Sequence, residues 1–246
     1  MVEASEFNAI TSRVGLLFRD RERGQRAFLG SCFCILKASV FITAAHCLDG
    51  TPNERLWINH HGGPGPDLFS PAQQVEFVRE ADIAIVVTDA PGAKWVQPFQ
   101  RVRFYANLGE KVCAFGYPDQ ALNRDAPAKE TPRFFRGTIQ RPFHHKSRLA
   151  AGAAYSAYEL SFPCPSGLSG GPLFLEDDPN TVIGVVTEDL EVGTTLNEEF
   201  VEKTSETTTR IDVRRVINYG VAASLFSTID KLENLLGQPL PTREVA

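Results

Sequence analysis

The sequence predicts an all-β protein closed by one short C-terminal helix. Three observations carry that prediction. Short runs of β-branched, aromatic and other apolar residues recur along most of the chain. Gly, Pro and Asp punctuate them. Helical periodicity is clear only near the end. Many short strands parted by turn residues indicate a sandwich or a barrel.

Arg13–Phe18 and Ala27–Leu36 are apolar runs separated by an arginine-rich stretch. Val40–Thr43 is β-branched and aromatic, and Arg55–Asn59 and Gln74–Phe77 are further strand-like segments. Ile83–Thr88 is a near-unbroken β-branched run, the pattern of a strand in a buried sheet. Lys111–Phe115, Phe134–Gln140, Tyr158–Phe162, Gly171–Leu175, Val182–Thr187 and Arg210–Asp212 complete the set. In the last segment Leu225, Ile229, Leu232, Leu235 and Leu236 fall on one helical stripe. Gly237 and Pro239 are its stop signals.

A chain of 246 residues accommodates one large all-β unit or two small domains. A net charge of −5 argues against nucleic-acid binding driven by bulk charge. No apolar run reaches the roughly 18 residues of a membrane-spanning helix, so no membrane partner is expected. Met1–Asn8 is polar and acidic, without the basic-then-apolar pattern of a signal peptide. A cytoplasmic chain is the expectation. Five cysteines, an odd number, form neither a disulfide framework nor a zinc-site spacing, and read as small buried hydrophobes.

Chemistry concentrates in three places. Pro163 to Leu173 contains Gly-x-Ser-Gly-Gly-Pro, which sets the Ser169 hydroxyl on a glycine-rich turn. Gly167 has no Cβ to block its N–H from a reacting carbonyl, and the N–H of Ser169 can point to the same spot. A serine needs a base and an orienting acid to become a nucleophile. His46, in Thr43-Ala44-Ala45-His46-Cys47, ends an apolar run beside two small residues. Asp82 opens the run Ile83–Thr88, so its carboxylate sits at the lip of a buried sheet and needs a hydrogen-bonding partner. The roles expected are nucleophile for Ser169, general base then acid for His46, and tautomer-fixing carboxylate for Asp82. Asp67 and Asp89 are weaker rivals, since neither precedes an apolar run.

At these residues the chain resembles the trypsin/chymotrypsin-like serine peptidases. The three runs occur in that family's order, His then Asp then Ser. Val182–Thr187 resembles the family's cleft-lining strand, Asn218–Val221 its pocket wall, and Ser227–Leu236 its closing helix. The resemblance covers roughly residues 14–236 and implies two six-stranded antiparallel β-barrels, the chymotrypsin-like double barrel, with the active site between them. An arm at 1–13, a first barrel over 14–100 carrying His46 and Asp82, and a second over 101–222 carrying Ser169 are then expected. A helix over 223–237 and a tail over 238–246 follow, with Arg101-Val102-Arg103, after Pro98, as the crossover.

The implied activity is hydrolysis of peptide bonds through an acyl-enzyme, with the oxyanion held by the N–H groups of Gly167 and Ser169 and with no metal or nucleotide cofactor. Pro163 and Cys164 stand at the implied pocket base, where nothing pairs with a buried cation. Thr187, Tyr219, Gly220 and Val221 form its walls, so a small or apolar side chain is favoured before the scissile bond. Backbone at Thr187, Glu188 and Asp189 is expected to pair with an extended peptide or protein substrate. Secreted relatives bridge the Cys after the catalytic His, which here would join Cys47 to Cys32 or Cys34. Zymogen relatives carry an Asp before the nucleophile; here Leu168 stands there, so activation without N-terminal cleavage is expected.

Segment 188–206 holds seven acidic residues and one lysine, and segment 124–148 holds seven Arg or Lys and two acids. Both read as solvated loops. The acidic one offers a route to selecting basic substrates or a regulatory protein partner. His60-His61 and His144-His145 read as surface or loop residues rather than metal ligands, because neighbours on an extended strand point apart. A binding or scaffolding module on the same fold, with regulated or lost activity, is the alternative function.

Overall fold

The computed structural model describes residues 10–21, 25–37, 39–51, 55–60, 69–89, 99, 101–102, 106–119, 132–203 and 208–241, with backbone alone at 101–102, 191–203 and 208–216. Asp67, His61, Pro98, Arg103, Glu206, the stretch 124–131 and most of the expected arm and tail lie outside those residues.

Six strands close the first barrel: β1 (Val14–Asp20), β2 (Arg26–Cys34), β3 (Val40–Ala44), β4 (Leu56–Asn59), β5 (Phe69–Val78) and β6 (Ile83–Thr88). Their order is β1-β2-β3-β6-β5-β4, with β4 returning to β1. Every residue of β3 is buried, as its unbroken apolar run requires. Cys32 and Cys34, two apart on β2, are buried in the same cluster with Cys47 and Leu48. All five cysteines are free and buried, so no bridge joins Cys47 to Cys32 or Cys34.

The second barrel comprises β8 (Lys111–Gly116), β9 (Arg133–Lys146), β10 (Ala154–Leu160), β11 (Pro172–Leu175), β12 (Thr181–Lys203) and β13 (Thr208–Ser224). It runs β11-β8-β9-β10-β13-β12 and closes through β11–β12. A two-residue strand, β7 (Arg101–Val102), pairs in parallel with the start of β12. Phe99, two residues before β7, bridges to Ile35 of the first barrel, so the chain crosses between barrels here. The helix α1 (Ile229–Leu236) follows a 3-10 turn at Phe226–Thr228 and ends at Gly237, whose φ of 66° is the left-handed geometry of a C-terminal glycine stop.

Two expected loops are largely strand. Glu188–Lys203 belongs to β12, which pairs with β13 as far as Lys203 opposite Thr208. Arg133–Lys146 is β9. In both, ladder hydrogen bonds to a neighbouring strand outweigh the polar sequence.

The barrels dock through one continuous apolar cluster. It joins Val14, Phe33 and Ile42 of the first barrel to Phe115, Phe174 and Val185 of the second. The Phe99 ring lies edge-on to Phe33 at 5.6 Å and tilted to Phe174 at 6.1 Å, linking the two cores through the crossover.

Candidate active site

Strand register brings His46 to Asp82. In the antiparallel β3–β6 pair, Ala44 at the end of β3 faces Ile83 at the start of β6. The residues just beyond therefore meet: the Ala45 N–H donates to the Asp82 carbonyl at 3.0 Å. His46 occupies a 3-10 turn, Ala45–Leu48. Asp82 adopts φ 55° and ψ 38°, a left-handed conformation uncommon for a non-glycine residue. Asp82 is 4 % exposed, and both of its carboxylate oxygens are satisfied. Oδ1 accepts from the His46 backbone N–H at 2.9 Å, and Oδ2 meets His46 Nδ1 at 2.7 Å.

Two contacts set the charge of that imidazole. Burial disfavours the imidazolium, but the Asp82 carboxylate and the adjacent Cys47 sulfur more than offset it. The His46 pKa therefore stands above the ordinary imidazole value.

Ser169 lies on the turn between β10 and β11 and reaches the same seam from the other barrel. Its carbonyl accepts the Ser31 N–H of β2 at 2.9 Å, and the Cys47 thiol lies 3.9 Å from that oxygen. The Ser169 hydroxyl donates to the Thr187 carbonyl at 3.1 Å rather than to His46.

The N–H groups of Gly167 and Ser169 have no acceptor among the described residues. Peptide planarity explains where they point. A trans peptide sets its N–H opposite its C=O, and no cis bond occurs among the described residues. The Ser166 carbonyl is held by the Asp119 N–H at 2.8 Å, which turns the Gly167 N–H the other way. The Leu168 carbonyl is held by the Gly171 N–H at 2.9 Å, which does the same for Ser169. Gly167 has φ 90°, and a Cβ there would lie 2.7 Å from the Tyr117 carbonyl oxygen, so glycine is required.

The other singled-out residues gather beside this turn, with differing contacts. Cys164 is 3 % exposed, with its thiol pKa pushed well up by burial; this rules it out as a ready thiolate. Its N–H donates to Asp189 Oδ1 at 3.2 Å. Gly220 packs over it: a Cβ there would lie 2.3 Å from the Cys164 sulfur. Register sets Gly220 opposite Asp189 and Tyr219 opposite Leu190. Pro163 is exposed. Thr187 is 1 % exposed and donates through its hydroxyl to the Val221 carbonyl at 3.2 Å. Glu188 meets the His145 ring and pairs with the Arg148 guanidinium, which balances its charge; burial and that same Arg148 hold the His145 pKa below the ordinary imidazole value.

Several neighbours of the site carry no sequence signal. His145 is not a surface residue but a partly buried partner of Glu188, with Phe143 and Tyr155 edge-on to its ring at 5.6 and 5.5 Å. His60 is buried as well, 3.0 Å from the Ser70 hydroxyl and stacked on Phe41. Asp119 takes the Ser166 hydroxyl at 2.6 Å. No motif marks these positions, because each contact depends on tertiary placement: the β9–β10 pairing sets His145 opposite Tyr155, and two turns bring Asp119 to Ser166.

Fold and sequence together define the class of trypsin-like peptidases. The model of the trypsin-like peptidase domain matches residues 30–185, and the chain belongs to that family. No curated protein matches the chain in sequence. Among solved structures it is similar to the Rv3671c protease from M. tuberculosis in its active form, at 17% identity and a TM-score of 0.65, covering 96% of this chain and 86% of that one. It is also similar to the HtrA-type protease AlgW with decapeptide, at 13% identity, TM-score 0.62 and coverage of 94% and 67%. The MamO protease domain from Magnetospirillum magneticum in its apo form gives 13% identity, TM-score 0.58 and coverage of 88% and 95%. At such identities the likeness is one of fold. Among the described residues no helix is long and apolar enough to cross a membrane.

Proposed function

We propose that this chain is a serine endopeptidase that cuts protein substrates through an acyl-enzyme. The observation that carries this reading is the Asp82 carboxylate 2.7 Å from His46 Nδ1, at the seam where Ser169 arrives from the other barrel. A proton held on Nδ1 by Asp82 leaves Nε2 as the basic nitrogen. The Ser169 oxygen attacks the scissile carbonyl while His46 takes the hydroxyl proton. His46 then gives that proton to the departing amine as the C–N bond breaks. Water repeats the sequence on the ester and frees the acid. The free N–H groups of Gly167 and Ser169 are the donors for the developing oxyanion.

The resting hydroxyl donates to Thr187, so a rotation about its Cα–Cβ bond toward His46 precedes attack. Leu168 is fully buried among apolar neighbours and carries no acidic latch, while hydrogen bonds within the fold already orient both oxyanion donors. This supports activity without N-terminal cleavage. Peptides would pair along Thr187–Asp189, with Cys164, Tyr219 and Gly220 framing the side-chain pocket and Pro163 at its rim. His46 and Asp82 then belong to a unit over 14–100 and Ser169 to one over 101–222. A regulatory partner would act on segment 188–206, of which Glu188–Lys203 continues the substrate-pairing strand. Five free thiols suit a reducing, cytoplasmic compartment. Incubating a proteome-derived peptide library with wild type and Ser169→Ala tests the reading. New termini with wild type alone are expected; equal cleavage by both proteins would refute it.

A further inference from the structure

We propose, on the reading of Ser169 and Gly167 given above, that Ser31 is a positioning residue that couples barrel docking to the oxyanion geometry. Ser31 lies on β2 in the first barrel, fully buried, and takes no part in the proton transfers. Each of its polar groups is engaged around the nucleophile turn. Its N–H donates to the Ser169 carbonyl at 2.9 Å. Its hydroxyl donates to the Gly167 carbonyl at 2.9 Å and accepts the Tyr117 N–H at 2.9 Å. Its carbonyl accepts the Thr43 hydroxyl at 2.8 Å.

Two glycines of the second barrel make room for it. A Cβ at Gly116 would lie 2.6 Å from the Ser31 hydroxyl oxygen, and one at Gly170 would lie 2.1 Å from its carbonyl oxygen. The hydroxyl therefore fixes the peptide that follows Gly167, while Asp119 fixes the peptide that precedes it. Gly167 is permissive at φ 90°, and without both anchors its N–H is free to swing away from the reacting carbonyl. Because one anchor comes from the other barrel, the donor is aligned only when the barrels are docked.

Removing an oxyanion donor outright costs about 10²–10³ in kcat, so misaligning one should cost less. Ser31→Ala should lower kcat about 10–100-fold, with KM within about threefold. Affinity for a peptide boronate should fall by the same factor as kcat/KM. Affinity for an uncleaved peptide, measured on the Ser169→Ala background, should not change. Ser31→Cys, a weaker donor in nearly the same space, should fall between wild type and Ser31→Ala. Wild-type kcat in Ser31→Ala overturns the role. So does a loss shared equally by boronate and uncleaved peptide, or failure of both variants to fold, since each would make Ser31 merely structural. If wild type has no turnover, the peptidase reading itself falls, which is a separate result.

Discussion

Asp82 grips His46 at two points, the backbone N–H at 2.9 Å and ring Nδ1 at 2.7 Å. The double hold fixes both the position of the residue and the tautomer of its ring. The β3–β6 register makes it possible by ending one strand where the other begins.

Replacing Asp82 with Asn keeps the shape and removes the charge. The amide can still meet the ring, but it no longer stabilises the imidazolium and can hold the wrong tautomer. Steady-state kinetics should show kcat reduced about 10³–10⁴-fold. A loss under tenfold would show that Asp82 does not support His46.

With His46 as the proposed base, its raised pKa should set the acid limb of the pH profile. The base must be neutral, so activity falls as pH drops through that raised value. The limb of kcat/KM in wild type should lie above the ordinary histidine value of about 6.5. The stability linkage has the opposite sense: the His46⁺–Asp82 contribution is full below the unfolded-state pKa and is lost as pH rises through the folded one. A kinetic limb at or below about 6.5 would contradict the assignment.

The core of this site was legible because its residues abut apolar runs. Val40–Thr43 leads to His46 and Ile83–Thr88 follows Asp82, so sequence alone placed both at strand ends. The glycine-rich turn was legible because few other residues tolerate its backbone. Ser31 was not: it sits in an apolar strand, and only docking of the two barrels gives it work. The sequence of the β12 arm beyond Glu188 indicates a loop, because acids at 191, 198, 199 and 202 break the apolar pattern. Its strand form rests on pairing with β13, which a local reading cannot see. The two-residue β7 is too short to leave a pattern.

Gly170 is the tightest point of the barrel seam. It has φ 85°, and a Cβ would lie 2.1 Å from the Ser31 carbonyl oxygen and 2.2 Å from the Thr43 hydroxyl oxygen. Gly170→Ala combines backbone strain with a clash against main chain, and should destabilise by about 3 kcal/mol or more in urea unfolding. Activity should fall with it. An unchanged midpoint would mean that the seam is looser than described.

Charge selection at the cleft should depend on Asp189 more than on Glu188. Arg148 already balances the charge of Glu188, whereas among the described residues the Asp189 carboxylate meets only the Cys164 N–H. Asp189→Asn should lower kcat/KM for peptides with Lys or Arg near the scissile bond by about 2–5-fold relative to neutral ones, the scale of a partly solvated ion pair. Equal effects on both peptide sets would remove the carboxylate from specificity.

The central claim is that Ser169 is the nucleophile. Intact-mass and peptide-mass measurement after treatment with a fluorophosphonate tests it most directly. The account predicts one adduct per chain, on Ser169, lost in Ser169→Ala and slowed in Asp82→Asn. An adduct on another residue, or none on a preparation that cleaves peptides, would contradict it.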